Sequence, residues 1–256
     1  LTKAAPLESW SLQEKWVWDR VSSGQTADFN HVDGYGGVRD PHRPEDWLPI
    51  RRLRGEFLET ILLKEPFHSA VARRGVCIEG AWFSEPLDLM QAEIDFDLFL
   101  DRCRFDDSVF MANIKTAGIL SFQGSKFCST LNLNGALIKT DLFLRGNAEF
   151  FNIELLSAKV GGHLDLTSSK CAGALNMNAV HIDGMLVMSG GGEFGCINLV
   201  GARVGSNVDM RDSRFSGELS LTGAKTWQLV LSNSIFDADV NLDSFSTVSH
   251  VFIRSA

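Results

Sequence analysis

The sequence predicts an all-β solenoid with a small α-helical cap at its N-terminus. From Val76 to the end of the chain, a pair of apolar residues at positions i and i+2 recurs with a fixed 11-residue period. Alternation with a period of two is typical of strands, and recurrence at one fixed period is typical of solenoids whose units stack on their neighbours. Residues 1–74 lack this repeat, and their apolar residues follow helical spacing instead.

Each 11-residue unit has two inward-facing pairs. In the first unit the leading pair is Val76 and Ile78, and the second pair, a small residue followed by a large one, is Ala81 and Phe83. One residue is missing from the series just before Leu229. A coil made of a single unit would enclose too little space for the leucines, phenylalanines and methionines at these positions. We therefore expect two units, or about 22 residues, in each coil and about eight coils stacked at about 4.8 Å.

Residues 1–74 are predicted to form a helical region that caps the first coil, and residues 75–256 are predicted to form the solenoid. A first helix is expected over residues 8–22, with an apolar face made of Trp10, Leu12, Trp16, Val17 and Val21. A second helix is expected from about Glu45 to Leu63, with an apolar stripe made of Trp47, Ile50, Leu53, Phe57, Ile61 and Leu62. A polar loop, Asn30 to Asp46, joins them. An uncapped first coil would expose strand edges, so this region is its expected cover.

Several of the second pairs carry a resemblance to a known family. The clearest are Ala81-Trp82-Phe83, Ser125-Lys126-Phe127, Ala136-Leu137-Ile138 and Ser213-Arg214-Phe215. They are similar to the core of the pentapeptide-repeat superfamily, over about 180 of the 256 residues. The resemblance implies a right-handed quadrilateral β-helix in which a small residue, any residue and then Leu or Phe follow one another. Here the spacing alternates between five and six, and alternate faces begin with Leu. The coil is therefore expected to be wider than in the standard family.

The stretch from Arg74 to Ala81, which follows the helical region, also resembles bacterial proteins labelled membrane-associated oxidoreductases. The residues give that activity no support, because the sequence has no G-x-G-x-x-G motif opening a helix and no other cofactor motif. It also has no uncharged apolar run long enough to span a membrane as a helix. We therefore expect no cofactor and no membrane span.

Charge and cysteine content limit the partners and the compartment. The formal net charge is -8, and the whole excess lies in residues 75–256, which hold 13 basic and 21 acidic side chains. A phosphate-binding surface carries clustered Lys and Arg, so direct binding to nucleic acid is not expected. The five cysteines are odd in number and form no C-x-x-C pair. Reduced thiols in a cytoplasmic protein are the expected state. By their position in the repeat, Cys103 and Cys171 are expected to face inward, and Cys77, Cys128 and Cys196 are expected to face outward or into turns.

The N-terminal loop holds the side chains that most suggest chemistry. His31, Asp33 and His42 share it and could reach one metal ion, although a solvated loop is the simpler interpretation. No Ser-His-Asp arrangement follows from the spacing, and no catalytic or metal-binding residue is predicted. Two units delay their Phe by one residue, at 147–150 and 191–194, and they lie two coils apart. These bulges are expected at one edge of the solenoid.

The most informative outward positions form one mixed apolar and acidic face. Its predicted partner-binding residues are the apolar Phe99, Ile119, Phe143, Met185 and Val187 and the acidic Asp97, Asp141, Asp165 and Asp209. The opposite outward position is Asn-rich, as at Asn132, Asn176 and Asn198. Exposed apolar patches usually indicate contact with another molecule, although the N-terminal helices could instead fold over this face.

Three hypotheses about function follow from these observations. The first is a non-catalytic interaction protein, a rigid acidic solenoid that docks a partner protein or a second copy through this face. The second is a DNA mimic that binds a DNA-acting protein such as gyrase, as some pentapeptide-repeat proteins do. The third is an enzyme that uses the N-terminal loop. Binding that weakens steeply as salt rises would favour the DNA mimic.

Overall fold

The computed structural model describes residues 4–43, 45 and 47–254 of the chain. It is an all-β parallel solenoid of about eight turns, and its described residues include three α-helices. The helices are α1 (Leu12–Ser22), α2 (Gly55–Leu63) and α3 (Phe67–Ala70), and a short 3-10 turn spans Pro49–Arg51. The inward residues form one hydrophobic core that continues from the solenoid into the helical region.

The short strands stack into four parallel ladders, numbered here in the order in which each coil visits them. Ladder 1 consists of β1 (Ala27–Asp28), β2 (Val76–Glu79), β6 (Leu98–Asp101), β10 (Leu120–Ser121), β14 (Leu142–Phe143), β18 (Leu164–Asp165), β21 (Leu186–Val187), β23 (Arg203–Asp209), β26 (Lys225–Val230) and β30 (Val251–Phe252). Ladder 2 consists of β3 (Trp82–Phe83), β7 (Arg104–Phe105), β11 (Lys126–Phe127), β15 (Glu149–Phe150), β19 (Lys170–Asn176), β22 (Glu193–Asn198), β24 (Arg214–Phe215) and β27 (Ile235–Phe236).

The other two ladders complete each coil. Ladder 3 consists of β4 (Leu87–Asp88), β8 (Val109–Phe110), β12 (Thr130–Asn132), β16 (Asn152–Glu154), the second halves of β19 and β22, β25 (Leu219–Ser220) and β28 (Val240–Asn241). Ladder 4 consists of β5 (Glu93–Ile94), β9 (Lys115–Thr116), β13 (Leu137–Ile138), β17 (Lys159–Val160), β20 (His181–Ile182), the first halves of β23 and β26, and β29 (Ser246–Thr247). The quadrilateral section, its right hand and the 11-residue unit stay predictions.

The register between coils agrees with the expected coil length. Leu98 pairs with Leu120 and Leu120 pairs with Leu142, so each partner lies two sequence units further along the chain. Lys126 instead pairs with Glu149, and Lys170 with Glu193, so ladder 2 takes up one extra residue at each of the two predicted bulges. Both bulges therefore lie at the entry to ladder 2, two coils apart.

A column of phenylalanines fills the inner side of ladder 2. Phe83, Phe105, Phe127 and Phe150 stack with ring centroids 4.9, 4.4 and 4.9 Å apart. Stacked parallel strands place identical side chains directly above one another, so one Phe per coil produces this arrangement. Cys171 interrupts the column, and the stacking resumes one coil later.

The helical region differs from the sequence prediction at both helices. Helix α1 begins only at Leu12, because Ser11 caps it, and Leu12 is 85% exposed rather than part of the apolar face. The second helix begins at Gly55 instead of Glu45, and Ile50 is exposed. Residues 52–53 are needed as extended backbone, since Arg52 bridges Trp82 and the Leu53 N–H donates to the Trp82 carbonyl. Pro44 and Asp46 lie outside the described residues.

The N-terminal region packs against the first coil. Strand β1 extends ladder 1 by pairing with β2, where Ala27 lies beside Ile78. Phe57 and Ile61 of α2 are buried in the shared core, and α2 contacts β4 and β5. The edge of the first coil is thus covered by backbone on one side and by apolar side chains on another.

Candidate interaction face

The nine predicted partner-binding residues all lie along ladder 1. Five of them point outward from its strands in successive register, in the column Phe99, Ser121, Phe143, Asp165, Val187 and Asp209. The other four, Asp97, Ile119, Asp141 and Met185, directly precede a strand of this ladder. The structure therefore brings the predicted residues together as one face, called the ladder 1 face below, with apolar and polar coils alternating.

Two aromatic ridges with a notch between them form the N-terminal half of this face. Phe99 and Phe143 are both half-buried, and Ser121 lies between them in register and is fully buried. The guanidinium of Arg145 lies 4.1 Å from the centre of the Phe143 ring and pairs with Asp165 at 2.9 Å. The two rings are about 10 Å apart along the solenoid, which is two coil spacings.

All four aspartates of the face accept hydrogen bonds from backbone N–H groups. The Asp97 carboxylate accepts the Ile119 N–H of the next coil at 2.8 Å, and Asp141 accepts the His163 N–H at 2.7 Å. Each aspartate of this pair therefore ties two neighbouring coils together at the corner before ladder 1.

The remaining two aspartates close turns within their own coil. Asp165 accepts the Thr167 N–H at 2.9 Å, and Asp209 accepts the Arg211 N–H at 3.2 Å. Burial alone would raise the pKa of Asp209, but hydrogen bonds and the charge of Arg211 outweigh it and hold that pKa below its ordinary value. Both carboxylates are thus already paired with an arginine.

Residues 41 and 42 of the N-terminal loop run over ladder 2 rather than over the ladder 1 face. Arg104 donates to the Pro41 carbonyl at 2.8 Å, and His42 Nε2 lies 3.8 Å from Glu149 Oε1. No hydrogen bond, ion pair or ring contact joins described N-terminal residues to the predicted face. The alternative in which the helices fold over this face has no support in these contacts.

An open groove of about 520 Å³ extends the face toward the C-terminal coils. Met185 and Asp209 line it, together with Val230, Phe252 and Arg254. Val230 and Phe252 occupy the same outward column as Phe99, one and two coils beyond Asp209. The C-terminal half of the ladder 1 face is therefore concave, whereas its N-terminal half is ridged.

The histidines of the N-terminal loop pair with neighbouring aspartates. His31 contacts Asp28, and His42 Nδ1 lies 2.6 Å from Asp40. Asp33 has no part in these pairs. Among the described residues, no group of three His, Cys, Asp or Glu side chains is placed to hold a metal ion.

All five cysteines are free. Cys103 and Cys171 are buried as predicted, and burial raises the pKa of Cys171 to about 12. Cys77 was expected to face outward or into a turn but is buried, with Arg74 beside it. Burial raises the pKa of Cys77 as well, so these three thiols are poor nucleophiles.

Sequence reasoning missed a buried arginine that fixes the N-terminal loop. Arg51 is fully buried and donates to the carbonyls of Phe29, Tyr35 and Gly37, and to the Asn30 side chain at 2.9 Å. No carboxylate of the described residues accepts from it. Burial, helped by the charge of Arg39, lowers its pKa to about 10. The only available signal was the presence of three arginines within residues 51–54, which gives no indication of burial.

Comparisons with known proteins gave no match, whether made against protein-family models, curated proteins or solved structures. The geometry of the chain itself therefore carries the functional argument. Among the helices that the structure describes, none has the length and apolar character needed to cross a lipid bilayer.

Proposed function

We propose that the protein is a non-catalytic interaction protein that docks a partner protein, or a second copy of itself, through the ladder 1 face. One observation carries the proposal: Phe99, Phe143 and Val187 recur in register on alternate coils, and no described residue of the N-terminal region makes a hydrogen bond, ion pair or ring contact with them. Aromatic side chains that are well supported and only partly buried are typical anchors of protein interfaces.

The fold suits this role because it presents the face without reorganisation. Each coil is bonded to the coils on either side through four ladders, and the corners are tied by Asp97 and Asp141. A surface held in this way loses little conformational entropy on binding. The ridges, the Ser121 notch and the groove beside Met185 give the face a defined relief for a complementary surface.

The proposal extends to family and location. The small-then-large inward pairs, such as Ala81 with Phe83, are buried as in a pentapeptide-repeat protein, and on this basis the chain is proposed to be a bacterial member of that superfamily. Five free thiols and no disulfide among the described residues support a reducing, cytoplasmic compartment.

The geometry favours the interaction hypothesis over the DNA mimic and the enzyme. A DNA mimic needs carboxylates that are free to meet a basic groove, whereas Asp165 and Asp209 are paired with Arg145 and Arg211. The enzyme hypothesis depends on the N-terminal loop, where His31 and His42 each pair with a neighbouring aspartate. Neither alternative gains a supporting contact from the described part of the chain.

Truncation of the two aromatic ridges tests the proposal. The double variant Phe99→Ala/Phe143→Ala should keep the cooperative unfolding of the wild type, because neither ring belongs to the inward column. Phe110→Ala/Phe151→Ala is the matched control, since both rings are exposed, Phe110 on ladder 3 and Phe151 at the corner between ladders 2 and 3. Sedimentation velocity, alone and with any partner isolated with the wild-type protein, measures association.

The expected result is an association that the Phe99→Ala/Phe143→Ala variant weakens by about 2 kcal/mol or more and that the control leaves unchanged. An equal loss in both double variants would contradict the proposal. So would a Phe99→Ala/Phe143→Ala variant that unfolds without cooperativity, because the rings would then belong to the core.

A further inference from the structure

Most Lys and Arg side chains of the solenoid form ion pairs, and those without a partner among the described residues lie together along one ladder. Of the 13 Lys and Arg in residues 75–254, eight form an ion pair with a carboxylate: Arg102, Arg104, Lys115, Lys126, Arg145, Lys170, Arg211 and Arg214. Arg254 lies against the Phe252 ring. The other four, Lys139, Lys159, Arg203 and Lys225, have no side-chain hydrogen bond or ion pair with a described residue, and all four belong to ladder 4 or its outgoing corner.

Ladder 2 provides an internal comparison, because its outer column also carries charges in register. There Lys126, Glu149, Lys170, Glu193 and Arg214 follow one another on five successive coils. Opposite charges in neighbouring coils attract, and Lys126 with Glu149 and Lys170 with Glu193 are 2.8 Å ion pairs. The charges in the outer column of ladder 2 are therefore compensated largely within the column itself.

The outer column of ladder 4 has the opposite arrangement. Lys159, His181, Arg203 and Lys225 follow one another in register. They are all exposed, and Lys139 lies one coil before Lys159. Arg203 and Lys225 lie on neighbouring strands, and their like charges repel at a spacing of about 4.8 Å, so this pair costs the free protein stability. The chain has a net charge of -8, so it contains enough carboxylates for each of these cations to have one as a neighbour.

An open groove of about 650 Å³ runs along these residues, and Lys139, Lys159 and Arg203 line it. One carboxylate, Asp183, lies inside the groove and is engaged with His181 at 3.0 Å. The next acidic side chains, Glu93 and Asp95, lie at the N-terminal end of ladder 4. They are paired with Lys115 and His68. Paired acidic side chains thus bound the basic part of the face at its N-terminal end.

Two exposed apolar side chains mark the ends of the basic column. Leu137 precedes it and is 39% exposed, and Trp227 follows Lys225 and is 52% exposed. From the coil of Lys139 to the coil of Lys225 is about 19 Å, which is the length of about six residues of extended chain. The surface therefore offers positive charge in its centre and an apolar contact at either end.

We infer that ladder 4 is a second docking surface, which binds an extended acidic peptide segment with apolar residues on either side of its carboxylates. Charge complementarity selects the acidic centre, and Leu137 and Trp227 fit the apolar flanks. The bounded length favours a peptide over a nucleic acid, because a long polyanion would also meet the acidic remainder of the solenoid. A single exposed aromatic ring is also fewer than the stacking platforms of single-strand binders provide. This surface is separate from the ladder 1 face, so the inference does not depend on the proposed function.

Binding of a defined probe to the whole protein tests the inference. The probe is a fluorescent peptide of consecutive glutamates with leucines at both ends, and its counterpart has glutamine at every glutamate. The variant Lys159→Gln/Arg203→Gln/Lys225→Gln removes the column. The matched control Lys126→Gln/Lys170→Gln/Arg214→Gln removes the same charge from ladder 2. Fluorescence anisotropy is measured at low and high salt, and a single-stranded oligonucleotide is used as competitor.

The expected result is binding of the glutamate peptide that weakens as salt rises and that the ladder 4 variant reduces by about tenfold or more. The control should change it by about twofold or less, and the glutamine peptide should not bind. Equal loss in both variants, binding of the glutamine peptide, no binding to the wild type, or a tighter complex with the oligonucleotide would each overturn the inference.

Discussion

At the scale of single residues, the solenoid is held by side-chain oxygens that accept backbone N–H groups two residues further along the chain. On ladder 3 the oxygens of Asp88, Asn132 and Asn198 accept in this way from Met90, Asn134 and Val200. The same bond is made on ladder 1 by Asp165. The Asn-rich outer column is therefore a series of turn-closing residues, and Asn and Asp are equivalent in it.

This equivalence predicts that Asn198→Asp is tolerated, because Asp88 already makes the same bond at the same position. Leu166→Asp should abolish soluble expression, since Leu166 is fully buried and an unpaired buried carboxylate is very costly. Soluble yield and the urea midpoint measure both. Asn176→Asp would be a poor control, because Asn176 donates to Glu154. Equal behaviour of Asn198→Asp and Leu166→Asp would show that the assigned register is wrong.

A second prediction concerns Asp101, whose pKa burial raises to about 6, even though Ser121 and Gln123 donate to its carboxylate. The folded protein therefore holds this proton at a pH where the unfolded chain has lost it. The contribution of Asp101 to stability is present below about pH 4 and is lost as pH rises through about 6.

The variant Asp101→Asn keeps a side-chain oxygen that can accept from Ser121 and Gln123. Because the amide does not ionise, the variant does not lose stability at this position as pH rises. The increase in free energy of unfolding that this variant shows over the wild type should be about 1–2 kcal/mol larger at pH 7 than at pH 4. Urea unfolding at the two pH values measures the difference, with the exposed Asp243→Asn as control. A difference that is the same for both variants would contradict this assignment.

At the scale of elements, the phenylalanine column of ladder 2 shows what the sequence can and cannot predict. Inward positions such as Phe105 and Phe127 follow from the repeat alone, because strand alternation fixes which side chains enter the core. The two bulges of ladder 2 could be predicted, because the inward Phe comes one residue late in those two units. The start of α2 could not be predicted, because residues 52–53 pair with Trp82, a long-range contact that local spacing cannot reveal.

The column also yields a prediction. Phe127→Ala should lower the free energy of unfolding by about 3–5 kcal/mol, because Phe127 is buried and stacks on rings in both neighbouring coils. Phe151→Ala, which removes a 53% exposed ring in the next coil, should cost far less. Denaturant titrations of the two variants provide the comparison. Similar costs would mean that Phe127 is not an inward residue.

At the scale of the whole molecule, the candidate face could be predicted and the charge pattern beside it was missed. The ladder 1 residues share one phase of the coil, so the repeat alone brought them together. Lys159, Arg203 and Lys225 also share one position of the coil, so the same comparison of repeat positions would have predicted the basic column of ladder 4. No sequence pattern shows which cations form ion pairs. A partner such as Asp237 for Arg214 lies one coil away, and whether the pair forms depends on side-chain conformation.

The N-terminal region is an integral part of this molecule, since β1 and α2 complete the first coil. Deleting residues 1–65 should therefore cause aggregation, because it uncovers the strand edge of β2 and the buried Leu87 and Ile94. Size-exclusion chromatography and thermal unfolding of residues 66–256 provide the measurement. A monomer with an unchanged melting temperature would contradict the cap assignment.

The central claim is that the ladder 1 face is the surface that meets another protein. The most direct measurement places a photo-crosslinking p-benzoylphenylalanine at position 143, in place of Phe143, and at position 110 as the control, in place of Phe110 on ladder 3. The account predicts a crosslinked product, either a dimer of the chain or an adduct with an isolated partner, from position 143 and not from position 110. A product from position 110 alone, or equal yields from both positions, would contradict it.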